Sequence, residues 1–207
     1  MKVTAITQQV YHPQRYNVFI DGSFAFGLIM EDIIYFKLKE GNEISKEKYD
    51  YIQNELVYIQ AQDTALHYIG YKMRTEKEVF KKLHEKGFSE NVIERVMEFL
   101  KKYQYIEDEK YCESYIKERI RFNPRGKYAL KMELRQKGIA DSIIDKTLEK
   151  MQIDELGDAI RLLEKKCFSL DDINEKEKKR LLGFLQRRGY SYDIIKEAFA
   201  YIEQKEE

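Results

Sequence analysis

Glu133-Leu134-Arg135-Gln136-Lys137-Gly138-Ile139 decides the fold, because its frame recurs along the chain. Leucine, then glycine four positions on, then a large apolar residue stands at Leu83-Gly87-Phe88, Leu134-Gly138-Ile139 and Leu185-Gly189-Tyr190, in steps of 51 residues. An isoleucine trails each copy at one offset: Ile93, Ile144 and Ile195. Glycine reaches the left-handed conformation that ends a helix without a Cβ penalty, and in a Schellman cap the residue after it packs back on the leucine. Each copy therefore predicts a helix end, a tight turn and a second helix. Ser89 and Ser191 stand where N-caps belong. The helices that follow carry Ile93, Val96, Met97 and Leu100, then Ile144, Thr147, Leu148 and Met151, then Ile195, Ala198, Phe199 and Ile202. That is i, i+3, i+4, i+7 spacing, one apolar stripe per helix. A repeat of this period implies an array of like helical units rather than an enzyme built around one pocket.

Composition agrees. The 207 residues include only two prolines, and 37 Lys and Arg balance 37 Asp and Glu, a charge load that suits long helix surfaces. Cys112 and Cys167 lie a repeat apart in helical patterns, so neither a disulfide framework nor a metal site is expected. No apolar run has the length of a signal peptide or of the roughly 18 residues a membrane span needs, so a cytoplasmic protein without membrane contact is expected.

The chain divides into four blocks: 1–44, 45–102, 103–151 and 152–207. In the first, Asp21-Gly22 lies between Tyr16–Ile20 and the Phe24, Phe26, Leu28 run, a hairpin signal. A small antiparallel β-element is predicted, then a short helix near Glu31–Phe36 closed by Gly41, the whole packed on the helices that follow because three strands alone are marginal. In the second block, Ser45 to about Met73 reads as one long helix, and Thr75 with Glu78 as a capping box. In the third, a helix carries Tyr111, Tyr115, Ile116 and Ile120 and breaks at Asn123-Pro124-Arg125-Gly126. The fourth starts near Asp154, turns Ala159, Leu162 and Leu163 inward, and caps its second helix with Asn174 and Glu177. The fold class is mainly α: three tandem three-helix repeats in an elongated curved array behind the β-element.

Catalytic patterns are absent from the sequence. His12, His67 and His84 have no ligand spacing, and no phosphate loop, nucleophile elbow or zinc spacing occurs. Glu107 with Asp108, and Asp171 with Asp172, fall where helices begin and complement the helix dipole. No cofactor is expected.

Local charge is more informative. Between Ile116 and Lys137 stand Lys117, Arg119, Arg121, Arg125, Lys127, Lys131, Arg135 and Lys137 against only Glu118 and Glu133. This stretch is the candidate surface for a polyanion, with a more mixed cluster that includes Arg187 and Arg188 as the second. Tyr103, Tyr105, Tyr111, Tyr115, Phe122 and Tyr128 interleave with the bases and have the chemistry to stack on unpaired bases. Tyr111 and Tyr115 are four apart on an apolar stripe, which favours core packing for that pair.

Three separate matches make the chain resemble the RecX family of bacterial regulators of the RecA recombinase. The first is Arg74-Thr75 with Glu78-Val79, Lys82-Leu83 and Lys86-Gly87-Phe88; the last is Phe184-Leu185 with Arg187-Arg188-Gly189-Tyr190 and Ile194-Ile195. Between them, Tyr105-Ile106-Glu107-Asp108 leads through Tyr115-Ile116, Arg119 and Arg125-Gly126 to Glu133–Ile139. The proline that the family pattern carries after the middle glycine is Lys127 here. The β-rich start resembles that of the longer family members from low-GC Gram-positive bacteria.

The resemblance implies a monomer without catalysis that lies in the groove of the RecA filament on single-stranded DNA and lowers its ATPase and strand-exchange activities, in the setting of DNA repair and the SOS response. Duplex DNA is a further candidate partner. Arg119, Arg121, Arg125, Lys127, Lys131, Arg135, Lys137, Arg187 and Arg188 are the expected contact residues. Two other readings fit tight helix pairs with nearby bases: a helix-turn-helix transcription regulator and a protein-only helical adaptor.

Overall fold

Asp21 and Gly22 both take positive φ, 50° and 82°, the turn that suits the twist of a two-residue hairpin. They join β2 (Arg15–Ile20) to β3 (Ser23–Ile29), and β1 (Val3–Gln8) pairs with β2, giving an antiparallel sheet of order β1-β2-β3. Val18 and Ile20 on the central β2, and Ala25, Phe26 and Leu28 on β3, are buried. The short α1 (Met30–Tyr35) follows, and Gly41, at φ +84°, turns the chain back. The computed structural model describes residues 1–166 and 175–204.

Ser45 opens α2 (Lys46–Tyr51), its Oγ accepting from the Lys48 N–H at 3.2 Å. The predicted long helix is present with one irregularity: Ile52–Leu56 is a π turn, and α3 (Val57–Gly70) continues from it. An i→i+5 turn releases carbonyls from the regular ladder, and the Arg95 guanidinium donates to the Asn54 carbonyl at 3.3 Å. Thr75 caps α4 (Glu76–Glu85) with both bonds of the capping box formed. The chain then turns at Gly87 into α5 (Glu90–Lys102).

The three glycine turns are Schellman caps. Gly87, Gly138 and Gly189 have φ of +77°, +90° and +85°. The N–H after each returns to the leucine carbonyl: Phe88 to Leu83 at 3.3 Å, Ile139 to Leu134 at 3.2 Å and Tyr190 to Leu185 at 3.3 Å. Phe88, Ile139 and Tyr190 are buried with their leucines, as the hydrophobic half of the motif requires. The two serine caps differ from each other. Ser89 has the N-cap backbone but makes no side-chain cap bond, whereas Ser191 Oγ accepts from Ile194 N–H at 3.3 Å.

The chain falls into two units, Met1–Glu107 and Asp108–Glu207. In the first, Val18, Phe26 and Leu28 of the sheet share one core with Ile52, Ala61, Leu83, Ile93 and Leu100, so the β-element does pack on the helices. The second holds α6 (Asp108–Phe122), α7 (Lys127–Gln136), α8 (Asp141–Lys150), α9 (Glu155–Lys166), α10 (Glu175–Arg187) and α11 (Tyr192–Gln204). Leu130, Leu134 and Ile144 centre one core there, and Leu163, Leu185 and Ile195 another. The first and third helix of each repeat pack together: α3 on α5, α6 on α8, α9 on α11. Leu162 is half-buried against the last core. Cys112 is buried and free. Cys167, Asp171, Asp172 and the expected Asn174 cap lie outside the described residues.

Candidate nucleic-acid interface

The break at 123–126 sets the site, because it packs on the glycine cap of the third repeat. Gly126 N–H donates to the Arg188 carbonyl at 2.9 Å, and a Cβ on Gly126 would strike the backbone of Gly189. Arg188 reaches back, its guanidinium donating to Asn123 Oδ1 at 2.7 Å and to the Pro124 carbonyl at 3.0 Å while lying 4.7 Å from the Phe184 ring centre. Burial pulls its pKa below the ordinary arginine value, and nearby Arg125 pulls the same way. Two predicted site residues from different repeats, Arg125 and Arg188, are thus neighbours.

The basic stretch is largely paired. Glu133 on α7 is the hub: it takes Arg119 Nε at 2.9 Å, the Tyr115 hydroxyl at 2.6 Å and an ion pair from Arg125 at 3.5 Å. Burial lowers the Arg119 pKa, but its bonds to Tyr115 and the charge of Glu133 outweigh that and hold it above the ordinary value. Lys131 lies 2.5 Å from Asp145, and Arg135 is bidentate to Asp141, both contacts at 2.6 Å. Lys127 is 3.9 Å from Glu155, whose other oxygen accepts the Lys127 backbone N–H at 2.8 Å. Lysine in place of the family's proline thus supplies an N–H that Glu155 uses.

The positive charge that the local count assigns to this candidate surface is therefore largely balanced by paired carboxylates. Side chains of Arg119, Arg125 and Lys131 are only 32%, 26% and 28% exposed and each faces a carboxylate. Acids at 141, 145 and 155 come from helices beyond the counted stretch. Their contribution is invisible to a local charge count, although helix pairing across the Gly138 turn points to Asp141 and Asp145. Arg121 and Arg187 are exposed. Arg121 lies 5.0 Å from the ring of Phe122, itself exposed, and Lys137 sits over both Tyr111 and Tyr115 at 5.5 and 5.4 Å. Tyr111 and Tyr115 stack on each other and pack against the second-repeat core, as their spacing predicts. Tyr128 is exposed, and Tyr103 and Tyr105 gather round Phe99 in the first unit.

Among the described residues no cluster of His, Cys, Asp or Glu has the arrangement to hold a metal ion, and no helix is long and apolar enough to cross a membrane. Four family domains match in chain order: the regulatory protein RecX N-terminal domain over residues 1–45, and the first, second and third RecX three-helix domains over 61–100, 108–148 and 154–199. A regulatory protein RecX of Clostridium acetobutylicum is 37% identical over 208 residues, covering 96% of each chain. The chain belongs to the RecX family. Among solved structures, one of regulatory protein RecX superposes with a TM-score of 0.64 at 28% identity, covering 94% of this chain and 98% of the other. RecX from Lactobacillus salivarius gives 0.65 at 28% identity, covering 72% of this chain and 97% of that one. The relatives carry the name regulatory protein, and the bases described above lie in the second and third of the matched three-helix domains or between them.

Proposed function

We propose that this chain regulates RecA by binding its filament on single-stranded DNA and lowering ATP hydrolysis and strand exchange, with no catalysis of its own. The observation that carries this reading is the match of four RecX domains in order along the chain. Arg121 and Arg187 are the first contacts with phosphate, since they are exposed and neither side chain pairs with a carboxylate among the described residues. Arg119, Arg125, Lys127, Lys131 and Arg135 must each exchange a carboxylate for a phosphate, an exchange that returns less free energy than filling an empty position. Lys137 and Arg188 act beside aromatic rings, where a base can share the ring.

Heavy acid pairing of the bases favours one rival, a partner that binds through protein contacts alone. Salt separates the two. Each phosphate contact on a single strand adds about 0.7 to the slope of log affinity against log salt. The test is co-sedimentation of the chain with RecA filaments at two salt concentrations, for the parent and for Arg121→Glu with Arg187→Glu. The parent is expected to lose affinity as salt rises, and the double variant to bind at least about tenfold more weakly. Salt-independent binding that survives both substitutions would give the site to the protein-only reading.

A further inference from the structure

One cavity lies far in sequence from the basic stretch. It is an open groove of about 860 Å3 in the first unit, where the β1–β2 loop and the start of β2 face α3, α4 and the Gly87 cap. Three cations line it, Arg15, Lys82 and Lys86, against one acid, Asp63. The contrast with the second repeat is sharp. None of these three cations makes an ion pair with a carboxylate among the described residues, whereas most bases of α6 and α7 do. Arg15 is desolvated, with its pKa lowered by burial and only partly restored by Asp32. Its guanidinium lies 4.4 Å from the Phe88 ring centre and donates to the Gly27 carbonyl at 2.7 Å, which leaves a buried Nε with no hydrogen-bond partner.

Aromatic surface completes the groove. Tyr68 carries Lys82 over its ring at 5.6 Å. Tyr71, in the lining, is 74% exposed and meets His67 edge to face, its hydroxyl 3.0 Å from the imidazole Nε2, a contact that holds the ring. Three cations against one acid, beside a held aromatic ring, match a ligand with a phosphate and a flat base, and the volume lies in the range of small-ligand pockets.

We propose that this groove binds one nucleotide unit: phosphate on Arg15, Lys82 and Lys86, base stacked on Tyr71. The source of the unit is either a single strand of DNA threading the groove or a free nucleotide. The inference goes beyond the filament reading, because it concerns the first unit and holds or fails with no recombinase present.

The test uses the full chain, the variant Lys82→Ala with Lys86→Ala, and Tyr71→Ala, each checked for parental melting by circular dichroism. One arm titrates a labelled oligothymidylate by fluorescence anisotropy at several salt concentrations; the other titrates thymidine monophosphate by calorimetry. If the source is single-stranded DNA, the lysine variant binds the oligomer about tenfold more weakly with a salt slope smaller by about 1.4, and Tyr71→Ala weakens it by about tenfold. If the source is a free nucleotide, the monophosphate binds the parent and both variants lose it, while oligomer binding does not change. Parental behaviour of both variants in both arms overturns the proposal, as does a parent that binds neither probe. Neither result bears on filament binding, which is read separately by co-sedimentation with RecA.

Discussion

Gly138 and Gly126 make opposite demands on a side chain. Gly138 sits at φ +90°, where a β-branched residue is strained, so Gly138→Val is expected to cost roughly 1 kcal/mol or more. Gly126 has an ordinary φ of −67° but no room, since a Cβ would meet the Gly189 carbonyl, and Gly126→Ala should cost about 1–3 kcal/mol through overpacking. Urea melts of both variants check the pair, and parental midpoints would refute the cap and the packed break respectively. The first demand was legible in the sequence, because a Leu-to-Gly frame states its own geometry. The second was not, because it depends on a backbone 63 positions away.

Glu133 belongs to the same scale. Counted as one of two acids in a basic stretch, it is the residue that engages Arg119, Arg125 and the Tyr115 hydroxyl. Glu133→Gln removes the charge that holds two guanidiniums. It should cost about 1 kcal/mol of stability and tighten salt-sensitive binding to the filament, because both arginines become available to phosphate. Weaker filament binding by a well-folded Glu133→Gln chain would mean that the arginines act only when Glu133 positions them.

At the scale of elements, the stripes, the capping box at Thr75 and the Asp21-Gly22 hairpin were all readable because each rests on neighbours within eight residues. The π turn at Ile52–Leu56 was not, since nothing in its composition breaks the helical pattern. Nor was the extent to which the sheet is part of the first core. Phe26 and Leu28 pack with Ile52, Ala61 and Leu83, so the β-element is no removable appendage. Deleting residues 1–44 should do more than remove a strand signal from the circular dichroism spectrum. It is expected to lower the melting midpoint of the first unit by more than about 10 °C, each kcal/mol being worth roughly 4–8 °C in a domain of this size. A truncated chain that melts with the parent would show that the first repeat holds its core without the sheet.

For the whole molecule, the repeat period placed the chain among helical arrays, and the family's motifs, in order from Arg74 to Ile195, pointed to RecX. The neutral total charge concealed two different basic regions. One, on α6 and α7, is dense in sequence and mostly neutralised by acids from neighbouring helices. The other, around Arg15, Lys82 and Lys86, is scattered in sequence and meets one acid in space. Sequence density and free positive charge are separate quantities, and only the fold distinguishes them. The measurement that tests the central claim most directly is single-stranded-DNA-dependent ATP hydrolysis by the RecA of the chain's own host, with the chain added in increasing amounts. The account predicts a dose-dependent fall in rate that is reduced in Arg121→Glu with Arg187→Glu; a rate unchanged at saturating amounts of the folded parent would contradict it.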